Sequence, residues 1–202
     1  LGGTYVTIGL HAGVSINPFA LPASDETYHF LHAFMRVLID GTDGFQITKK
    51  DDIDLYQAIT HVYLMPPPLR MLRYVLVSPA LEMRLADWVD TGRFAALFDN
   101  IDDTLELADF QVFDFEGMAA VPQLVKPMVF YILHRLNARL QQRSRLTVCV
   151  MDECWRFIKH PKLRDYVEEA LKTWRKLNGA MLLATQAVED FLASDLQQTV
   201  IE

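Results

Sequence analysis

The sequence predicts an α/β fold in which a parallel sheet is flanked by helices. Leu146–Met151 is a continuous hydrophobic run, which predicts a strand buried on both faces, and Ala180–Ala184 is a second short apolar strand. Between them, residues 163–174 carry apolar side chains at helical spacing, and Asn178-Gly179 is a helix stop signal. The order strand, helix, strand predicts a parallel βαβ unit.

Three further elements complete the predicted α/β part. Thr4–Ile8 alternates as a strand does, and Gln111–Phe115 is a second candidate strand. Pro122–Gln142 has the apolar stripe of a buried helix, and its basic end is formed by Arg135, Arg139, Arg143 and Arg145. Those arginines suit the negative end of a helix dipole, and DNA contact is the alternative.

The stretch between these strands has helical patterns. They start at Ser24 and continue through Asp52–Tyr63, Pro68–Val77 and Ala80–Val89, with prolines that break them. The prediction is a core formed by residues 1–19 and 106–202, with an all-helical insertion at residues 20–105. The aromatic residues of the insertion form its core or, alternatively, a face that docks a partner.

Two acids end the strand at residues 146–151. Ligands of open α/β sheets bind beyond the carboxyl ends of the strands, so Asp152 and Glu153 stand where chemistry is expected. An apolar strand ending in two acids is the layout of a Walker B element in a P-loop NTPase, where the first acid holds Mg²⁺ and the second polarises water. The alternative is a helix N-cap.

Thr185-Gln186 ends the neighbouring strand. Gln186 is therefore a candidate to orient water or sense a γ-phosphate, with a cap of the following turn as the alternative. Together, the acids and this polar pair predict one shared site at the sheet edge.

Composition predicts an intracellular domain with reduced cysteines. The chain has 202 residues with 51% hydrophobic content, a net charge of −7 and two cysteines. Two cysteines make no disulfide framework, and the negative charge argues against a broad nucleic-acid-binding surface. No apolar stretch reaches the ~18 residues that span a bilayer.

The same residues resemble a known family. Three segments in this order and spacing are similar to the TrbE/CagE/VirB-class ATPases of type IV secretion and conjugation: Val150–Trp155, Leu171–Asn178 and Ala184–Gln186. Upstream segments agree in order: Gly3–Ile8, Ile16–Phe19 and Phe113–Glu116. The resemblance covers most of the chain and is weaker across residues 20–105.

The resemblance implies a RecA-like P-loop NTPase core that binds ATP and Mg²⁺. The resemblance implies that Glu153 is the catalytic carboxylate, that Asp152 holds Mg²⁺ through water and that Gln186 assists turnover. Thr185 and Lys176 contact the nucleotide. Arg175 follows the apolar stripe and should project from the flank of its helix, where it either complements the helix dipole or reaches the nucleotide of a neighbouring subunit.

The resemblance also implies a place in the cell. The expected role is part of a motor ATPase that drives substrate transfer or channel and pilus assembly. It would act as a homo-oligomer such as a hexamer, cytoplasmic and peripheral to the bacterial inner membrane. The implied partners are a coupling protein, inner-membrane subunits and transferred DNA or protein. A non-hydrolytic docking scaffold and a HerA/FtsK-like DNA-pumping ATPase are the alternatives.

One departure from the family pattern is large. No Gly-x-x-x-x-Gly-Lys-[Ser/Thr] motif occurs, and neither Gly2-Gly3 nor Gly41–Gly44 supplies the lysine and hydroxyl that bind phosphate and Mg²⁺. We therefore expect a fragment truncated at both ends, inactive by itself, that holds the acidic half of a nucleotide site.

Overall fold

The structure, a computed structural model, describes residues 2–10, 13–40, 45–118, 121–142, 145–153 and 161–185. The chain forms two compact units, residues 1–127 and residues 128–202. Its regular elements are, in order, β1 Thr4–Thr7, α1 Asp25–Ile39, α2 Lys49–Val62, α3 Pro79–Leu85, α4 Ala95–Phe98, β2 Gln111–Asp114, α5 Pro122–Gln142, β3 Thr147–Met151, α6 Pro161–Trp174 and β4 Gly179–Leu183.

The first unit contains the parallel pair β1–β2. Thr4 lies opposite Gln111 and Thr7 opposite Asp114. The β-branched and aromatic residues of β1 suit a pleated strand. Both strands were predicted from the sequence and are confirmed.

Side chains set the starts of the two long helices of this unit. The Ser24 hydroxyl accepts the Thr27 N–H at 3.1 Å, and the Thr48 hydroxyl accepts the Asp51 N–H at 3.1 Å. Each bond satisfies a backbone donor that the first helical turn leaves unpaired. The prediction of a helix after Ser24 is confirmed, and α2 begins three residues earlier than predicted because Thr48 caps it.

The prediction of a helix at Pro68–Val77 is wrong. This segment forms two short 3₁₀ turns, Pro67–Leu69 and Leu72–Tyr74. Side chains from distant parts of the chain form hydrogen bonds with its backbone. Asn17 Nδ2 donates to Arg70 O at 2.9 Å, and Asp99 Oδ1 accepts the Arg73 N–H at 3.0 Å. These tertiary bonds replace the bonds of a continuous helix.

The segment predicted as a helix at Ala80–Val89 is helical only as far as Leu85. Beyond α3 the chain turns back, and the Phe94 N–H donates to Asp87 O at 2.7 Å. A Cβ at Gly92 would lie 2.2 Å from Ala86 O, so this turn requires a residue without a side chain.

Aromatic side chains form the centre of the first unit. Ring centroids lie 5.9 Å apart for Phe34 and Phe98, 5.5 Å for Trp88 and Phe98, and 4.8 Å for Trp88 and Phe94. All four side chains are buried. They belong to the core, which was the first of the two interpretations of these aromatics.

The second unit contains the predicted βαβ unit, which is confirmed. Strands β3 and β4 are parallel, with Thr147 opposite Gly179 and Met151 opposite Leu183. The apolar stripe of α6 is buried at Leu163, Val167, Ala170 and Trp174. No described helix of the chain is both long and apolar enough to cross a membrane.

The prediction that β3 is buried on both faces is wrong. Val148 and Val150 are exposed, as is Leu182, which lies opposite Val150 in β4. Side chains alternate between the faces of a strand, and only the face that carries Met151 reaches full burial. The apolar run therefore reflects one buried face and one exposed apolar face.

Candidate functional site at the carboxyl ends of two strands

The predicted acids follow β3 directly. Asp152 and Glu153 form a turn at the end of this strand, and Asp152 Oδ1 accepts the Glu153 N–H at 2.9 Å. Asp152 is exposed and Glu153 is half-buried. The structure thus presents two carboxylates at the carboxyl end of a parallel strand, where open α/β sheets bind ligands.

The backbone of Glu153 is unusual. Its φ is +50°, in the left-handed region that a side chain with a Cβ disfavours by about 1–2 kcal/mol. Strained residues of this kind concentrate at functional sites. Sequence reasoning missed this feature, because Glu is not among the residues that signal a left-handed conformation.

The register of the two strands brings the second predicted group to the same edge. Met151 O accepts the Ala184 N–H at 2.9 Å, so Asp152 and Ala184 leave the sheet side by side. Thr185 follows Ala184 and is half-buried. Gln186, the other member of this pair, lies outside the described residues.

Arg175 and Lys176 lie at the other end of the strand pair. They belong to a 3₁₀ turn, Arg175–Leu177, that precedes β4, and Asn178 O accepts the N–H of Thr147 at the start of β3. Five strand residues at ~3.3 Å each separate this end from the acids by roughly 16 Å. Within one chain the arginine and the acids are therefore not brought together.

The turn that carries Arg175 is firmly anchored. Trp174 is buried, and its indole Nε1 donates to Asn137 Oδ1 of α5 at 3.1 Å. Asn178 closes the turn with φ +56°, and a Cβ at Gly179 would lie 2.9 Å from Trp174 Cβ. Arg175 itself is exposed, in line with its predicted place on the helix flank.

The first unit has an acid at a strand end as well. Asp114 ends β2, accepts the Tyr5 hydroxyl at 2.6 Å and accepts the Glu116 N–H at 2.8 Å. The Tyr5 hydrogen bond, followed by that from Glu116, lowers the pKa of Asp114. This carboxylate is therefore committed to local contacts.

Cys149 and His134 are poorly suited to catalysis. Burial raises the pKa of Cys149 to about 11, so its thiol stays protonated and is a poor nucleophile. Burial lowers the pKa of His134 to about 4, which keeps it neutral. In the part of the chain that the structure describes, no three His, Cys, Asp or Glu residues form a metal-binding group.

Comparisons with known proteins identify the family of this chain. Residues 80–202 match the family model described as the TraG P-loop domain. Type IV secretion system protein virB4 of Bartonella quintana is 26% identical over 209 residues, which cover 100% of this chain and 26% of that protein. Type IV secretion system protein PtlC of Bordetella pertussis is 27% identical over 218 residues, with coverages of 100% and 26%. The chain thus spans about a quarter of the length of these curated relatives.

A solved structure shares the fold. VirB4 of Thermoanaerobacter pseudethanolicus superposes with a TM-score of 0.73 over 98% of this chain and 60% of that chain, at 20% sequence identity.

Proposed function

The chain belongs to the TraG P-loop domain family, and on that premise we propose that it is part of the motor ATPase domain of a type IV secretion or conjugation system. The observation that supports this proposal is the shared edge of β3 and β4. There two carboxylates, Asp152 and Glu153, stand beside the polar end of the neighbouring parallel strand. We propose a RecA-like core around this edge.

The acids have the chemistry that a magnesium–nucleotide site needs. Mg²⁺ prefers carboxylate oxygens and water, and Asp152 is exposed and forms no ion pair with any described residue. Asp152 would hold the ion through water. Bound Mg²⁺ would neutralise part of the phosphate charge. The phosphate-binding loop, whose motif does not occur in this sequence, would be supplied by another part of the longer protein.

Glu153 is proposed as the group that acts on water. A carboxylate next to the acid that would hold Mg²⁺ can orient a water molecule and accept its proton as the water oxygen attacks the γ-phosphorus, the bond to the β–γ bridging oxygen breaks and ADP leaves. The hydrogen bond between the Glu153 N–H and Asp152 Oδ1 ties the two carboxylates into one turn. Thr185 and Gln186 would contact the nucleotide from the neighbouring strand.

Arg175 is proposed to act on the nucleotide of a neighbouring subunit. The strand pair separates it from the acids of its own chain, and its turn is anchored while its side chain is exposed. Arg carries a planar fork that can contact two phosphate oxygens at once. Lys176 in the same turn would contribute positive charge to the nucleotide. This arrangement requires a homo-oligomer, for which a hexameric ring is our proposal.

The relatives suggest the setting. The proteins named virB4 and PtlC are type IV secretion system proteins. We propose that this chain works in such a system at the cytoplasmic side of the inner membrane, with a coupling protein and inner-membrane subunits as partners and DNA or protein as the transferred substrate.

Replacing one carboxylate oxygen tests the hydrolytic proposal. Glu153→Gln in the full-length protein should keep Mg-ATP binding and lose turnover by about 10²–10⁴-fold, because the amide cannot accept the proton of water. Glu169→Gln, at an exposed acid of α6, is the control and should keep both. Near wild-type hydrolysis by Glu153→Gln would refute the assignment. A wild-type protein that binds no ATP would instead favour a non-hydrolytic scaffold.

A further inference from the structure

An open cleft lies in the helical region of the first unit, in the same unit as the β1–β2 pair and outside the acidic edge of β3 and β4. Its volume is about 430 Å³. One wall is a face of α2 and the other is the segment Tyr74–Ser78 that follows the two 3₁₀ turns. The side chains that matter below are Asp54, Gln57 and His61 on α2, and Tyr74, Leu76 and Val77 opposite them.

Four polar side chains of this cleft have no hydrogen-bond or ion-pair partner within the described ranges. Asp54, Gln57, His61 and Tyr74 make no side-chain hydrogen bond or ion pair with any described residue. Asp52, two residues from Asp54 on the same helix, behaves differently, since it pairs with Arg36 at 2.7 Å and with His32 at 3.0 Å. Asp51, the third acid of α2, accepts the Thr48 hydroxyl at 2.7 Å. The fold thus engages two acids of α2 and leaves Asp54 available in the cleft.

Apolar side chains surround these polar groups. Leu76, in the wall, is 73% exposed. Ile53 is also exposed and shares the face of α2 that carries Gln57, because positions i and i+4 fall on one side of a helix. Exposed apolar side chains grouped around polar ones are typical of interaction sites.

Because the cleft is open to solvent, it suits a segment of a protein better than a small molecule. Small-molecule sites enclose most of the ligand surface. Here every lining residue is exposed or half-buried, so the cleft cannot enclose a ligand. A cleft with an apolar wall that opens along a helix suits one or two side chains of a protein segment.

Charge decides the chemistry of that segment. Asp54 is the acidic residue of the lining, and its carboxylate forms no ion pair with any described residue. We propose that this cleft docks a short segment of a partner protein in which a Lys or Arg lies close to an apolar side chain. The cation pairs with Asp54 and bonds to the neighbouring amide and phenol, while the apolar side chain packs on Leu76 and Val77.

Fluorescence anisotropy with the full-length protein tests the proposal. The probes are labelled 12-residue peptides with one Lys and one Leu at each spacing from one to four residues on a neutral background, and matched peptides with Glu in place of Lys. We expect saturable binding for at least one Lys peptide and none for its Glu counterpart. Asp54→Asn and Leu76→Gln should each weaken that binding about tenfold, the effect of losing a central contact.

Two matched variants serve as controls. Asp87→Asn changes an exposed acid outside the cleft, and Met83→Gln changes an apolar side chain that is 78% exposed and also outside it. Both should bind the peptides as the wild type does, with unchanged melting temperatures in all four variants. The proposal is wrong if no peptide binds, or if the Asp54→Asn and Asp87→Asn variants bind the peptides equally well. It is also wrong if Leu76→Gln abolishes self-association in sedimentation, because the occupant of the cleft is then a second copy of this chain.

Discussion

Asp99 in the first unit and Asp152 in the second unit have opposite surroundings. In the first unit, the side chain of Asp99 is fully buried and bonds to Arg73 Nε at 3.0 Å, to the Arg73 N–H and to the Asp90 N–H. In the second unit, Asp152 and Arg175 are exposed at the two ends of the β3–β4 pair. A buried polar group with all its partners fixes the backbone around it, whereas a polar group at a strand end remains open to a ligand.

We therefore expect different residues to determine the stability of the fold and the rate of hydrolysis. Changes at Asp99 should unfold the first unit without a specific effect on hydrolysis. Changes at the strand ends of the second unit should alter hydrolysis with little effect on folding. If the variants described next do not behave in this way, the two sets of residues do not have separate roles in stability and hydrolysis.

The largest effect is expected at Arg175. Arg175→Ala in the full-length oligomer should lower hydrolysis by ~10³-fold, the scale for a trans-acting arginine, while the monomer keeps its nucleotide affinity. Mixing this variant with Glu153→Gln should restore part of the activity, because each defect then lies on a different side of a shared interface. A mixture without activity, together with a lower melting temperature for Arg175→Ala alone, would show that the residue is structural.

A stability effect is expected at Asp99. Asp99→Ala leaves two backbone N–H groups without their acceptor and removes one of the two carboxylates that the Arg73 guanidinium contacts, so the free energy of unfolding should fall by about 2–3 kcal/mol. Urea denaturation measures this. Asp87→Ala, which removes an exposed carboxylate, should leave the midpoint unchanged. A small decrease in the free energy of unfolding of Asp99→Ala would mean that the hydrogen bonds of the Asp99 side chain do not stabilise the turns at Arg73 and Asp90.

Acid should weaken the second unit through His134. Its pKa is about 4 in the folded chain and ~6.5 when unfolded, because burial disfavours the charged ring. The unfolded state therefore binds the proton first, and stability is lost as the pH falls from 6.5 towards 4. Between pH 7 and pH 5 this residue should cost about 2 kcal/mol of unfolding free energy. His134→Gln should show a pH dependence smaller by that amount, and identical pH profiles for the two proteins would contradict the assignment.

Sequence patterns were sufficient where local periodicity decided the structure. The stripe of α6 and the stop at Asn178-Gly179 predicted the βαβ unit correctly. The spaced segments around Asp152, Arg175 and Ala184 predicted the family correctly, since the P-loop family model covers all of them. These signals lie within short stretches of sequence and do not depend on distant contacts.

Sequence patterns failed where distant residues decided the structure. The helix expected at Pro68–Val77 was replaced by turns, because Asn17 and Asp99 bind its backbone from other parts of the chain. The exposed face of β3 was not predictable either, since an apolar run does not tell which side is covered. The division into a core and an insertion at residues 20–105 stays a prediction.

The backbone of Glu153 provides the most direct test of the central claim, that this residue is held at the strand end for chemistry and at a cost to stability. Glu153→Gly and Glu153→Ala remove the same carboxylate, but only glycine adopts φ +50° without strain. Thermal unfolding of the two full-length variants should show that the Gly variant is more stable than the Ala variant by about 1 kcal/mol. In an ATP hydrolysis assay, both variants should lose turnover. Equal stabilities, or turnover retained by either variant, would contradict the account.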